Sequence, residues 1–185
     1  MGICVRVTVL IFLLIGIGCA VASCLTDVFR YRLGDDILSL LNAAGIPSTG
    51  LDDARFHVQY FELSVTAMGV KEKDKDWALG TKDCKDRLTI AGALCAAGGG
   101  VALIALIMEA VYLACDNSCC LSCLIMVLAF IAFGCEAASF ALSITAVKGD
   151  KRPCPLFKDG YMEGFALAVV ASGVFLLAMF LQLCA

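Results

Sequence analysis

Two acidic side chains sit where acids are expensive. Glu109 is the only charge in the 28-residue run Leu88 to Cys115, and Glu136 is the only charge in the 29-residue run Cys119 to Val147. A carboxyl in hydrocarbon persists when it has a partner or a task. Glu109 is six residues from the end of its run, about 9 Å at 1.5 Å per residue. Arg6 enters the first apolar stretch at a similar depth, so a structural Arg6–Glu109 pair is expected. Glu136 is 11 residues from Val147, about 16 Å into its helix. The reading favoured for it is a hydrogen bond to Ser139, Ser143 or Ser172; the alternative is a proton or ion path. Two acids at different depths, with no His or Lys in the same helices, make a poor relay.

The second chemistry-bearing set is thiols. Of twelve cysteines, Cys84 and Cys154 stand alone in the two polar loops, and the other ten lie in or beside apolar runs. One cysteine per loop invites a bond between the loops; two free thiols or intermolecular bridges are the alternatives. Cys115, Cys119, Cys120 and Cys123 cluster at a short turn, with Cys4 and Cys184 at a similar depth. Paired C-x2-C units would suit zinc, and C-x3-C-C-x2-C without further ligands does not. Juxtamembrane cysteines are targets of S-palmitoylation; small buried thiols are the plainer alternative.

Catalytic constellations are missing. There is one histidine, His57, and no nucleophile elbow, zinc-protease, phosphate-loop or dinucleotide motif. No enzyme activity, metal or cofactor is expected. A net charge of −3 gives no reason to expect a nucleic-acid partner. The chain is 61% hydrophobic and only 17% charged, with a mean hydropathy of +0.92. The partner that composition implies is the lipid bilayer.

The elements that must position these groups are membrane helices. About 20 apolar residues cross a hydrocarbon core, and residues 88–115 and 119–147 exceed that. The link 116–118 is so short that the two must be antiparallel neighbours. Residues 3–25 form another apolar run. Arg6 followed by Ala20-Val21-Ala22 allows a cleavable leader, but the 19-residue stretch Val7 to Leu25 and its small residues favour a retained helix. Residues 164–185 make the fourth run. The expected fold is a membrane all-α, four-helix bundle with a small loop domain. Gly98 with Ala102, Gly134 with Ala138, and Ala168 with Ser172 supply close-approach spacing, within one chain or in a homo-oligomer. The triplet Gly98 to Gly100 marks a place for a kink.

The polar loops are residues 26–87 and 148–163. In the first, Asp35 to Gly45 reads as a short helix with acids at its start and a glycine stop. Arg55 to Ala67 reads as one or two strands. Their expected inward side is Phe56, Val58 and Tyr60, then Phe61, Leu63 and Val65, and the phase change implies a turn or bulge. Lys71 to Asp76 reads as a solvated hairpin tip, and Trp77 to Gly80 as a returning strand. Thirteen of the fourteen basic residues lie in the loops, against the positive-inside trend. The first loop is long for that rule, however, and Arg6 at the start of the first helix favours an inside N-terminus. The loops are therefore expected outside and both termini in the cytosol.

Three stretches resemble a known family. Asp27-Val28-Phe29-Arg30 follows the first helix. Cys154-Pro155 through Lys158-Asp159, Tyr161, Gly164 and Phe165 leads into the fourth. Leu79-Gly80-Thr81-Lys82-Asp83-Cys84 closes the first loop. The layout resembles the claudin-like tetraspan proteins, and these segments resemble amastins, a surface family of kinetoplastid protozoa. The first-loop signature departs from that family: Trp77 stands three positions before Gly80, Leu79 takes the usual tryptophan place, and the first signature cysteine is missing. Trp77, Gly80, Lys82 and Cys84 are its remaining signature-like residues. Without the family's intraloop cysteine partner, Cys84 is left to Cys154 or stays free. The resemblance implies a non-enzymatic plasma-membrane protein that contacts host or neighbouring membrane components. The alternatives are an auxiliary subunit of a membrane complex and a proton or ion transporter using Glu136.

Overall fold

In a computed structural model, residues 3–32, 55–67, 70–74, 82–114, 119–148, 154 and 162–183 are described. The elements are α1 (Ile3–Leu25), β1 (Phe29–Arg32), β2 (Arg55–Val58), β3 (Leu63–Ala67), β4 (Val70–Asp74), α2 (Lys82–Ala114), α3 (Cys119–Lys148) and α4 (Glu163–Leu183). All four helices are long and apolar enough to cross a membrane. They close a ring in which α1 touches α2 and α4, and α3 touches α2 and α4.

The bundle is built the way lipid demands. Its interior is lined by small residues such as Gly16, Ala20, Ala91, Gly98, Ala102 and Ala171. Large side chains such as Ile104, Ile107, Phe130, Val170 and Phe180 face outward and are about half exposed. Lipid tails are as apolar as leucine, so helices gain by close backbone approach instead of by hiding large side chains. The glycine triplet divides this work. A side chain at Gly98 would meet Ala132 and Cys135 of α3, one at Gly99 would touch Ala20 of α1, and one at Gly100 would meet nothing. α2 continues as one helix through all three. Gly134 also faces open space, so it makes no close approach within the chain.

α2 begins at Lys82, six residues before the apolar run. Apolar composition marks where lipid begins, and helix formation is a separate question. Lys82 with Asp86 and Asp83 with Arg87 are opposite charges at i,i+4, and Asp83 in the first turn suits the helix dipole.

The sheet is an antiparallel meander in the order β1-β2-β3-β4. Phe29 pairs with Val58, Val58 with Leu63, and Leu63 with Asp74. The expected break after Tyr60 is a turn between β2 and β3, closed by a 2.8 Å bond from Gln59 N to Glu62 O. Val58, Tyr60 and Leu63 are buried as expected, but Phe61 is 54% exposed. At the turn the two-residue alternation lapses, so Tyr60 points into the bundle and Phe61 points out. Two further expectations are corrected. Val70–Asp74 is strand β4 and not a hairpin tip, because its backbone completes the pairing of β3 whatever its charges. β1, a four-residue strand of alternating apolar and charged residues, was not expected at all. The expected helix at 35–45, the strand at 77–80 and the side chains of Phe56 and Val65 lie outside what is described.

Candidate functional site

Three polar constellations lie at different levels of the bundle. The uppermost joins the sheet to the helices. α1 ends at Leu25, and Asp27 follows at once. Its Oδ2 accepts from Arg30 Nη2 at 2.9 Å and from His57 Nδ1 at 2.6 Å, and Oδ1 accepts from Gln59 Nε2 at 3.4 Å. The His57 contact requires Nδ1 to carry the hydrogen. The backbone of the same segment holds α4: Gly164 N–H donates to Asp27 O at 3.0 Å, Met162 N–H to Val28 O at 3.0 Å, and Ser23 Oγ–H to Gly164 O at 2.7 Å. A side chain on Gly164 would press on Asp27 O and Thr26 O. Two segments that carry the family resemblance, Asp27 to Arg30 and Gly164, thus touch. On the other side of the bundle Cys84 and Cys154 are joined by a disulfide, Cα atoms 5.0 Å apart. Cys154 N–H also donates to Ala146 O at 3.1 Å, near the end of α3. Lys82 and Cys84 of the signature-like set stand in the first turn of α2; Trp77 and Gly80 lie outside the described residues.

Burial alone would raise the Asp27 pKa; hydrogen bonds from His57, Arg30 and Gln59 outweigh it and hold the carboxyl below its usual range. A lowered folded pKa contributes stability that is present above the unfolded value, about 3.9, and is lost as pH falls through the folded value. Acidification from pH 7 to 5 is therefore expected to leave the contribution of Asp27 intact, and loosening of the sheet through this residue is expected only below about pH 4. Amide hydrogen exchange of β1 and β2 against pH, compared with Asp27→Asn, checks this. Exchange rising between pH 7 and 5 in the wild type alone would contradict it.

Below the sheet the β2–β3 turn dips into the bundle. Tyr60 is fully buried; the Ser139 hydroxyl donates to Ala91 O at 2.8 Å, and Ser139 Oγ accepts from the Tyr60 hydroxyl at 3.4 Å. Burial pushes the Tyr60 phenol up, so it stays neutral. The tip fits because residue 92 is glycine: a side chain there would collide with Cβ of Tyr60 and the ring of Phe61. Gly92→Ala is expected to cost roughly 1–3 kcal/mol as overpacking and to speed proteolysis within β2 and β3. Unchanged cleavage would mean that the tip has room to shift.

One turn below Ser139 lies Glu136, fully buried, with neither carboxyl oxygen hydrogen-bonded. The expected bond to a serine is corrected: Ser139 is taken by Ala91 O and Tyr60, and Ser143 donates to Ser139 O at 3.0 Å. Glu136 Oε1 instead faces Gly98, where a Cβ would lie 3.1 Å away. Cys95, next to this level, donates to Ala20 O at 3.4 Å.

At the far end Arg6, Glu109, Tyr112, Ser122 and Gln182 meet, so all four helices contribute. Arg6 Nη1 is 3.9 Å from Glu109 Oε1, a charge contact too long for a hydrogen bond. The guanidinium lies over the Tyr112 ring, 3.6 Å from its centroid. Gln182 Nε2 donates to Glu109 Oε2 at 3.4 Å and to Ser122 Oγ at 3.2 Å. The sequence pointed to Arg6 and Glu109 and missed Gln182, Tyr112 and Ser122. A glutamine in the fourth run, otherwise free of amides and charges, was the available signal.

Between the two intramembrane levels lie Leu13, Ala102, Ala105, Ile125 and Ala129, all buried, and the Phe175 ring, which fills the space that a side chain on Gly16 would need. Glu136 and Ser122 are 14 residues apart on α3, about 21 Å. Between α1 and α2 a cleft of about 290 Å³ opens sideways, lined by Ala20, Cys24, Cys95, Ala96, Gly99 and Gly100 among others. Among the described residues no group of three or more His, Cys, Asp or Glu could hold a metal ion. Comparison with protein-family models and with curated proteins finds no match.

Proposed function

We propose that this chain is a non-enzymatic plasma-membrane protein whose two loops lie outside, whose termini lie in the cytosol, and whose loop sheet contacts components of a host or neighbouring membrane. The observation that carries this reading is the way the sheet is fastened. β1 continues from α1, Asp27 and Val28 hold α4, and Tyr60 reaches α2 and α3. The disulfide ties the start of α2 to the connection beyond α3. A four-helix anchor that spends its interactions on holding a small sheet rigid is suited to presenting that sheet. A disulfide persists on an oxidising face, which favours the loops outside.

The test is maleimide labelling of intact cells with a membrane-impermeant reagent, before and after mild reduction, with Cys84→Ser/Cys154→Ser as the reference. Labelling that needs reduction and is lost in the reference variant is expected. Labelling only after permeabilisation would put the loops in the cytosol and end the proposal. Contact itself is tested by blocking cell adhesion with monovalent antibody fragments against residues 26–87; adhesion that is unchanged with the fragments bound would refute it.

The fully buried Glu136 is the one observation that favours a transport reading. The apolar stretch around Leu13 and Phe175 opposes it. Glu136→Gln is expected to fold and to leave ion and proton flux in reconstituted vesicles at the empty-vesicle level. A wild-type flux abolished by this change would reverse the order of the two readings. The side cleft favours an auxiliary-subunit reading, for which co-purification of a larger membrane protein is the check.

A further inference from the structure

The described free cysteines separate by position. Cys95 is buried, and Cys19, Cys24 and Cys135 are half-buried within the helices; Cys4, Cys120 and Cys123 are exposed. All three exposed thiols lie at the end of the bundle opposite the sheet. Cys4 is alone on its helix and carries nothing by itself. Cys120 and Cys123 are different. They occupy the first turns of α3, three residues apart and hence on one face. That face continues deeper as Leu124, Val127, Phe130 and Ile131, each between 44% and 54% exposed. Two accessible thiols therefore stand at the membrane edge, directly above a strip of large apolar side chains that already faces lipid.

We propose that Cys120 and Cys123 are S-acylation sites carrying long-chain fatty acyl groups. The sulfur of each cysteine attacks the thioester carbonyl of an acyl-coenzyme A. A carbon–sulfur bond to the cysteine forms, the carbon–sulfur bond to coenzyme A breaks, and coenzyme A leaves as a thiol with the proton from the cysteine. Nothing is oxidised or reduced. The attached chain descends along the apolar strip into hydrocarbon, where each buried methylene is favourable, and no bundle contact has to move to admit it. Cys135 lies 12 residues deeper than Cys123, about 18 Å, out of reach of a water-borne acyl donor. Cys119 heads the same helix, but its side chain is not described, and Cys115 lies outside the described residues; neither enters the assignment.

The proposal rests on the cytosolic placement of the α2–α3 turn, because acyl-coenzyme A is a cytosolic donor. Its test reads something else. Free thiols of the full chain in cell membranes are blocked, thioesters are cleaved with hydroxylamine, and the released thiols are tagged with a maleimide polymer that shifts the band once per site. The wild type is expected to show two more hydroxylamine-dependent shifts than Cys120→Ser/Cys123→Ser, and each single variant one fewer than the wild type. Equal numbers of shifts in the wild type and the double variant overturn the assignment, as does tagging released by a disulfide reductant in place of hydroxylamine. Reduction-dependent outside labelling of Cys84 and Cys154, measured on the same variants, confirms that they fold. It also separates the two failures: lost acylation with normal outside labelling refutes only this inference, whereas labelling that requires permeabilisation refutes the topology beneath it.

Discussion

Replacing Cys84 with serine is expected to lower the thermal stability of the detergent-solubilised protein by about 2 kcal/mol, at the low end of the 2–5 kcal/mol typical for loss of a native disulfide. The reduced figure follows from the membrane. The bond joins residues 70 apart in sequence, and a chain-entropy estimate for a soluble protein would be larger. Here α2 and α3 remain inserted when the loops unfold, so the loop ends never explore a free coil. The Cys154 N–H bond to Ala146 O also survives the change and keeps part of the tether. The damage should be local: faster proteolysis of residues 26–87 and 148–163, a newly reactive thiol at Cys154, and unchanged exchange in the core of α3. Because Cys154 is buried in the intact protein, its reactivity is the sharper measurement. A variant that melts with the wild type and leaves Cys154 unreactive would show that the bond carries no strain-bearing role in the loop domain.

How far the sequence foretold this depends on which force decides each feature. The membrane helices were legible because a single force, transfer of apolar residues into hydrocarbon, acts along the whole run. The start of α2 was not, because the charged stretch Lys82 to Arg87 is helical although apolarity has ended. The Arg6–Glu109 pairing was legible from depth alone. Gln182 was not, since one amide in a long apolar run gives no direction. Glu136 is the instructive failure. A search for nearby serines names Ser139 and Ser143, but it cannot know that Ala91 O and Tyr60 have already claimed the Ser139 hydroxyl.

The loop domain shows the same division. Its strands were read from β-branched and aromatic residues, and the change of phase after Tyr60 gave the turn. The room for this turn is made by the hollow at Gly92, over which Tyr60 Cβ and the Phe61 ring both lie, a feature of a helix 31 residues beyond Phe61. β1 is visible only once β2 exists to pair with it. The Asp27 cluster was noticed as a family-like string, while its physical role as the joint between α1, α4 and the sheet needed His57 and Gln59 to be brought 30 and 32 residues back along the chain.

The largest effect is expected at the polar cluster at the end of the bundle opposite the sheet. Arg6→Ala leaves Glu109 fully buried, with a single 3.4 Å bond from Gln182, and is expected to cost about 3–5 kcal/mol, the range for breaking one side of a buried ion pair. Glu109→Ala strands Arg6 over the Tyr112 ring. Its cost should be smaller, because the Arg6 side chain is 12% exposed and near a helix end, where a long cationic side chain can turn toward water. The pair itself is a weak source of stability: at 3.9 Å it is no hydrogen bond, and each member has lost its water. Arg6→Met/Glu109→Met is therefore expected to recover most of the loss, leaving Gln182 bonded to Ser122. The decisive measurement is the melting temperature of Arg6→Met, Glu109→Met and the double variant in one detergent. A double variant near the wild type would mark the pair as a device for choosing how the four helices align. A double variant as unstable as the sum of the singles would mean that the charges contribute independently and that the pairing has no energetic content.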